Sequence, residues 1–235
     1  MPPAYSFRPR AWALLLAAAA CAGGIALGNW QAGRAQQKRA LGVQLERALQ
    51  APPTEITSEM VVDPDTTAMK HVRARGRFVG EHTVLLDNKL RNGRPGYEVL
   101  TPLRLNGTHV LVNRGWVPAA RTRDVLPSVP LPAGEVTIAG LALARLPQAF
   151  AAGPAGSGPV RQNLDLDRYA TETRLRMQPI VIEQHSDTPD GLLREWPRPD
   201  SGIDKHRSYA LQWYSLAALA VLLFVVLSFR RVGAS

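Results

Sequence analysis

The hydrophobic positions of this 235-residue sequence form two long apolar runs, one near each end. Neither residues 11–29 nor residues 209–229 contain a charged side chain. Each run approaches the ~20 apolar residues that a helix needs to cross the hydrocarbon core of a bilayer. We therefore predict two transmembrane helices, at 11–29 and 209–229, which flank an extramembrane domain at 30–205.

The first apolar run continues into a helical pattern. Leu41, Leu45 and Leu49 recur every four residues until a Pro-Pro pair ends the run, so residues 30–50 are predicted to extend the helix. The alternatives are a cleaved secretory signal or a lipoprotein signal ending at Cys21, because the basic start is followed by small apolar residues. The uninterrupted helical pattern favours retention of the segment.

Small residues line one side of the first helix. Ala20, Gly24 and Gly28 follow one another at four-residue spacing. Such a stripe lets two helix backbones approach closely in lipid, so we predict that the two transmembrane helices pack on each other there. The alternative is that Gly and Ala are simply abundant in this chain.

The middle of the chain consists of short strand-like segments separated by turn residues. Asn106-Gly107 is a hairpin signal, residues 92–96 are predicted to form a turn, and residues 151–159 a mobile loop. One helix is predicted at 165–176, with Asp165 as its N-cap. The fold class is a membrane protein with two transmembrane α-helices that flank an α+β, mainly antiparallel β, extracytoplasmic domain. The predicted strands are 69–78, 83–88, 97–105, 108–114, 136–144 and 178–184.

The formal net charge of +9 comes from 24 Arg and 4 Lys against 19 acidic residues. The sequence contains no run of five like charges and no recognition motif, so nucleic acid is not an expected partner. A single cysteine, Cys21, excludes an internal disulfide and a Cys-x-x-Cys pair. Thiol redox chemistry and copper-thiolate transfer are therefore poorly supported.

The motifs of common enzymes are missing from the sequence. It contains no Gly-x-Ser-x-Gly elbow, no His-Glu-x-x-His and no phosphate-binding glycine loop, and the five histidines lack metal-ligand spacing. We therefore expect a protein that is not an enzyme. A periplasmic hydrolase would need a nucleophile and a base that only the folded domain could bring together.

His206 differs from the other histidines in its position just before the second membrane helix. Continued as a helix, His206, Tyr209 and Trp213 lie on one face. A neutral imidazole at the bilayer surface could ligate the iron of an apolar macrocycle. The alternative is an ordinary interfacial belt of aromatic and basic residues. If a macrocycle is bound, its carboxylates at the water interface could pair with nearby cations, namely Lys205, Arg207 and Arg34.

Arg114 is unusual because it lies between two apolar strand segments. A strand-end arginine that pairs with a carboxylate or with backbone carbonyls would explain it. By contrast, Arg73, Arg75 and Arg77 alternate with apolar residues and are predicted to form the solvated face of a strand.

Three strings together resemble the surfeit locus protein family, the assembly factors of haem-copper cytochrome c oxidase. The first is Gly28-Asn29-Trp30-Gln31-x-x-Arg34, after the first helix. The second is Val112-Asn113-Arg114-Gly115-Trp116-Val117-Pro118, in the middle domain. The third is His206-x-x-Tyr209-x-x-x-Trp213-Tyr214, entering the second helix. The resemblance covers nearly the whole chain and is consistent with a bacterial member of the family.

The resemblance implies a role in maturing the catalytic subunit of the oxidase of the respiratory chain, linked to the supply or insertion of haem a. His206 matches the histidine that is proposed in the family to ligate haem iron. The expected partners are this catalytic subunit, membrane lipid and, as a further candidate, haem a synthase. Other positions that match family motifs are Gly28, Trp30, Arg114, Tyr209 and Trp213. A cofactor-free membrane scaffold for assembly intermediates is the alternative to a haem-handling chaperone.

Arginines beside both apolar runs, namely Arg8, Arg10, Arg230 and Arg231, favour cytoplasmic termini. Since long loops translocate largely regardless of their charge, the main domain is expected in the periplasm. No transit-peptide pattern precedes the first helix, so the expected membrane is a bacterial inner membrane.

Overall fold

The computed structural model describes residues 5–60, 62–120, 122, 125–148, 158–198 and 202–231. The chain divides into two compact units, Met1–Gln44 with Pro197–Ser235 and Leu45–Trp196. The described helices are α1 Ala11–Gln50, α2 Pro64–Thr67, α3 Leu166–Thr173 and α4 Ile203–Ser228. The described strands are β1 Tyr5–Phe7, β2 Thr54–Ile56, β3 His71–Phe78, β4 Val84–Arg91, β5 Arg94–Arg104, β6 His109–Pro118, β7 Val136–Leu143, β8 Val160–Arg161, β9 Met177–Gln184 and β10 Phe229–Arg231.

Helices α1 and α4 are both long and apolar enough to cross a membrane. The predicted continuation of α1 is confirmed, because the helix runs unbroken to Gln50, just before the Pro-Pro pair. Helix α4 begins at Ile203, which places His206 in its first turn. Many of the large apolar side chains on both helices are exposed, as expected of surfaces that face lipid. The two helices indicate that the protein associates with a membrane.

Five strands of the second unit close into a barrel. The order around the ring is β3-β7-β9-β6-β5, and β5 returns to β3 through the pairs Arg77↔Arg104 and Phe78↔Leu103. Strands β4 and β8 extend the sheet beyond β5, and β2 pairs with β3. Among the described pairs of this sheet, β2–β3, β4–β8 and β6–β9 are parallel and the rest antiparallel. The sheet is therefore mixed but mainly antiparallel, which confirms the predicted fold class.

Alternating residues fill the interior of the barrel. In β3, Val72, Ala74 and Phe78 are buried, whereas Arg73 and Arg75 are exposed. This confirms the predicted solvated face, and the exposed ion pairs that these two arginines form contribute little to stability. The largest buried cluster comprises Ile56, Val62, Val72, Ala74, Phe78, Leu103, Leu105, Val110, Val112, Ile138, Ala142, Ile180 and Ile182.

Every predicted strand is present, with small differences at the ends. Asn106-Gly107 forms the predicted hairpin, in which the Leu105 N–H donates to the Thr108 carbonyl at 2.8 Å. The predicted turn at 92–96 is too long, because β5 already begins at Arg94. Asn92 and Gly93, both with positive φ, suffice for this turn.

The predicted helix at 165–176 is confirmed, although it is shorter than expected. The Asp165 side chain accepts a hydrogen bond from the Arg168 N–H, and the helix ends at Thr173 because Arg174 adopts the left-handed conformation. Residues 151–157 of the predicted mobile loop lie outside the described residues.

Candidate functional site

Helices α1 and α4 pack against each other along a line of small residues. A Cβ atom added at Gly24 would lie 2.9 Å from the Ala217 Cβ, and one added at Gly28 would overlap the ring of Tyr214. These contacts confirm the predicted packing of the two helices at Gly24 and Gly28. We call the line through Gly24, Gly28, Gln31 and Ala35 on α1, facing α4, the helix seam.

The helix seam carries a polar pair at its end near the start of α4. The His206 Nδ1 and the Gln31 Oε1 are 2.7 Å apart. Because an amide oxygen can only accept, the Nδ1–H of the imidazole is the donor, and in the neutral imidazole Nε2 then keeps a lone pair. A second polar contact crosses the seam where the Tyr214 hydroxyl donates to the Asn29 Oδ1 at 2.8 Å. The contact with Gln31 thus orients the His206 ring.

The aromatic residues predicted beside His206 differ in their burial. Trp213 is partly buried at the seam, whereas Tyr209 is 51% exposed. Trp30 is also exposed, and the Arg34 guanidinium lies 5.9 Å from the centroid of its ring. The structure therefore places His206 and Trp213 along the seam, with Tyr209 and Trp30 available at the surface.

Arg207 does not share a side of α4 with Tyr209. Successive residues are ~100° apart around a helix, so Arg207 and Tyr209 lie on opposite sides of α4. Arg207 lines a groove of about 410 Å³ together with Arg39, above a floor that includes Ala35 and Ala210. Its guanidinium is also 4.0 Å from the carboxylate of Asp204, both exposed.

The Arg114 string contains a β-bulge between β5 and β6. Val99 pairs with Gly115, whereas the next residue on β5, Leu100, pairs with Asn113. Arg114 is therefore the extra residue on the bulged strand, and a bulge is a common means of redirecting a side chain. This stretch of β6 is buried on both faces, so the Arg114 guanidinium lies inside the domain.

Arg114 is fully buried and forms the predicted contacts with a carboxylate and a carbonyl. Its Nη2 donates to Asp190 Oδ2 at 2.9 Å and to the Pro130 carbonyl at 2.6 Å, and its guanidinium lies 4.9 Å from the centroid of Phe78. Arg194 donates to both carboxylate oxygens of Asp190 at 2.8 Å. Burial lowers the pKa of Arg114, and the hydrogen bond and charge of Asp190 oppose this shift. One carboxylate thus pairs with two guanidinium groups.

Gly115 and Trp116 hold the segment that contains Asp190. Gly115 has a φ of +144°, and a Cβ there would lie 2.9 Å from the Leu193 carbonyl oxygen, so only glycine is suited to this position. The backbone of Trp116 exchanges two hydrogen bonds with Leu193, at 2.8 and 2.9 Å. The Trp116 indole N–H donates to the Lys89 carbonyl at 2.7 Å. The string therefore anchors the stretch that precedes α4 in the sequence.

Two partners in these sites were not predicted from the sequence. Gln31 lies three residues after Gly28, so extending the small-residue stripe by one turn would have indicated it. Asp190 is 76 residues from Arg114 and lies in a segment without periodicity, so no local signal pointed to it. Within the described residues, no three side chains of His, Cys, Asp or Glu are grouped so that they could hold a metal ion.

The architecture defines a membrane-associated protein with two terminal helices and a β-barrel domain between them. Residues 16–218 match the profile of the SURF1 family, so the chain belongs to the SURF1 family, known as assembly factors of cytochrome c oxidase. The chain is 27% identical to a "SURF1-like protein" of Monosiga brevicollis, over 94% of this chain and 88% of that protein. It is 27% identical to "Surfeit locus protein 1" of Mus musculus, over 94% of this chain and 76% of that protein. A SURF1-like protein of Mycobacterium tuberculosis is 26% identical, over 83% of this chain and 73% of that protein.

Proposed function

We propose that this protein is a membrane-anchored chaperone that handles haem a during assembly of cytochrome c oxidase and assists its insertion into the catalytic subunit. The hydrogen bond between Gln31 and His206 is the observation that carries this proposal. A histidine that ligates a metal usually donates its other ring N–H to an acceptor, which fixes the ring and raises its basicity. Gln31 supplies such an acceptor, and Nε2 remains available for iron.

The surroundings of His206 fit an amphipathic, iron-containing cargo. The imidazole lies within the first turn of α4, between a polar N-terminal end and an apolar membrane-spanning stretch. Tyr209 and Trp213 follow at i+3 and i+7 and offer aromatic surfaces. Lys205 and Arg34 are exposed cations that suit carboxylates at the water interface. Iron would supply the coordination bond, and the chain would supply orientation, apolar contact and charge.

The proposed setting is the inner membrane of a bacterium, with both termini in the cytoplasm and the β-barrel domain in the periplasm. This orientation rests on the arginines beside the two helices and on the length of the intervening domain. Haem a synthase is a candidate donor of the cargo, and the catalytic subunit is its proposed recipient. Neither step requires the protein to make or break a covalent bond.

The test measures haem retention by the full-length protein. The protein is produced in cells that synthesise haem a and is then purified in detergent. We expect a haem a absorption spectrum for the wild type and none for His206→Ala. The variant Gln31→Leu should retain haem about 10–100-fold more weakly, because the imidazole loses the partner that fixes its tautomer.

His71→Ala is the matched control, because His71 is also partly buried and its Nδ1 lies 2.8 Å from the Ala51 carbonyl oxygen. It should retain haem as the wild type does. A wild-type protein that associates with the oxidase but never acquires haem would instead establish the cofactor-free scaffold. Equal loss of haem in the His71 and His206 variants would also contradict the proposal.

A further inference from the structure

A second groove between α1 and α4 lies at the opposite end of the helix pair from His206. Its volume is about 580 Å³. Its lining combines small residues with larger apolar side chains such as Leu16 and Phe224. Three arginines stand among its lining residues, together with the interfacial aromatic Trp12. The small lining residues are Ala13, Ala17, Ala20, Ala220 and Ser228, and the arginines are Arg8, Arg10 and Arg230.

Strands β1 and β10, one near each end of the chain, pair beside this groove. The pairing is antiparallel, with Ser6 opposite Arg230 and Phe7 opposite Phe229. The Phe7 and Phe229 rings are in edge contact, with centroids 5.3 Å apart. The Arg8 N–H donates to the Ser228 carbonyl at 2.8 Å. This two-stranded ribbon holds Arg8 and Arg230 at the same end of the groove, so their proximity is built into the structure.

The charge at this end of the helix pair is uniformly positive. Neither residues 1–45 nor residues 205–235 contain an aspartate or a glutamate. Arg8, Arg10 and Arg230 are all exposed. An apolar, lipid-facing groove with cations at one end matches a molecule with an anionic head and hydrocarbon chains. Basic pockets between transmembrane helices are a known means of binding anionic lipid headgroups.

We propose that this groove binds an anionic phospholipid, whose phosphate group contacts Arg8, Arg10 and Arg230 and whose acyl chain lies along the alanines that line the groove. The inference is independent of haem binding, because it involves neither His206 nor Gln31. It assigns the paired chain ends a role in recognising the lipid that surrounds the protein.

The test uses the full-length protein in detergent micelles that contain equal amounts of phosphatidylglycerol and phosphatidylcholine with identical acyl chains. Native mass spectrometry measures the ratio of the two lipids that the protein retains. We expect the wild type to prefer phosphatidylglycerol. Each arginine near an anionic headgroup increases the affinity for the lipid about fivefold. The combined Arg8→Gln, Arg10→Gln and Arg230→Gln variant should therefore lower the preference for phosphatidylglycerol by about 100-fold.

Two further variants test whether the lipid binds in the groove or is attracted by the positive charge of the whole protein. Removing three exposed arginines of the β-barrel domain, with Arg94→Gln, Arg104→Gln and Arg145→Gln, changes the net charge equally and should leave the preference intact. Ala20→Phe keeps every charge but fills the groove and should reduce phosphatidylglycerol retention. The proposal would be overturned if the Arg8, Arg10 and Arg230 variant still preferred phosphatidylglycerol, or if the Arg94, Arg104 and Arg145 control lost this preference to the same extent. It would also be overturned if Ala20→Phe had no effect on phosphatidylglycerol retention. Displacement of the lipid by inorganic phosphate would also overturn it, since the site would then bind free phosphate.

Discussion

Replacing Asp190 with alanine is expected to lower the free energy of unfolding of the β-barrel domain by about 3–5 kcal/mol, the usual cost of breaking a buried ion pair by removing one partner. The Asp190 side chain is 1% exposed and is the carboxylate that Arg114 and Arg194 share. Among the described residues, the variant leaves the buried Arg114 guanidinium with the Pro130 carbonyl as an acceptor and the Phe78 ring beside it.

The measurement is chemical unfolding of the full-length protein in detergent, followed by circular dichroism of the sheet. Glu195→Ala is the matched control, because Glu195 is an exposed acid in the same segment. Surface substitutions usually change stability by less than about 0.5 kcal/mol, and the control should fall in that range. An equally small change for Asp190→Ala would show that the buried pair does not stabilise the domain.

Gly28→Leu is expected to weaken haem retention about 10–100-fold, as Gln31→Leu does, although it changes no proposed ligand. A Cβ at position 28 already overlaps the Tyr214 ring, so a leucine forces α1 and α4 apart. The hydrogen bond between Gln31 and His206 is 2.7 Å long, and such bonds are lost beyond about 3.5 Å. The separation of the helices therefore frees the imidazole from its acceptor.

Gly33→Leu is the control for this prediction, because nothing lies within 4 Å of a Cβ at Gly33. It inserts the same side chain into the same helix and should keep haem. Helix separation can be measured without haem by electron spin resonance between spin labels at positions 22 and 219, both exposed. An unchanged label distance in Gly28→Leu would show that this glycine does not hold the helices together.

The local elements of this fold could be predicted from the sequence because their causes are local. Alternation placed Val72 and Ala74 inside and Arg73 outside, and Asn106-Gly107 set the hairpin between β5 and β6. The closure of the barrel through Phe78 and Leu103 could not be predicted, since it depends on a pairing between strands that are distant in sequence.

The candidate sites were predicted only in part, for the same reason. His206 was identified from its place before an apolar helix, and Gly28 from its four-residue spacing to Gly24. Their partners lie far along the chain, since Gln31 and His206 are 175 positions apart. The bulge at Arg114 had a local signal, namely a glycine inside a strand pattern, and the sequence interpretation did not use it.

Ligation of haem iron by His206 is the central claim, and replacing this histidine with a different ligand type tests it most directly. The full-length His206→Met variant is loaded with haem a, and its absorption spectrum and reduction potential are compared with those of the wild type. Methionine ligation raises the reduction potential of haem relative to histidine ligation. We predict a raised potential and an altered spectrum in the variant. A variant that binds haem a with the wild-type potential and spectrum would show that His206 is not a ligand.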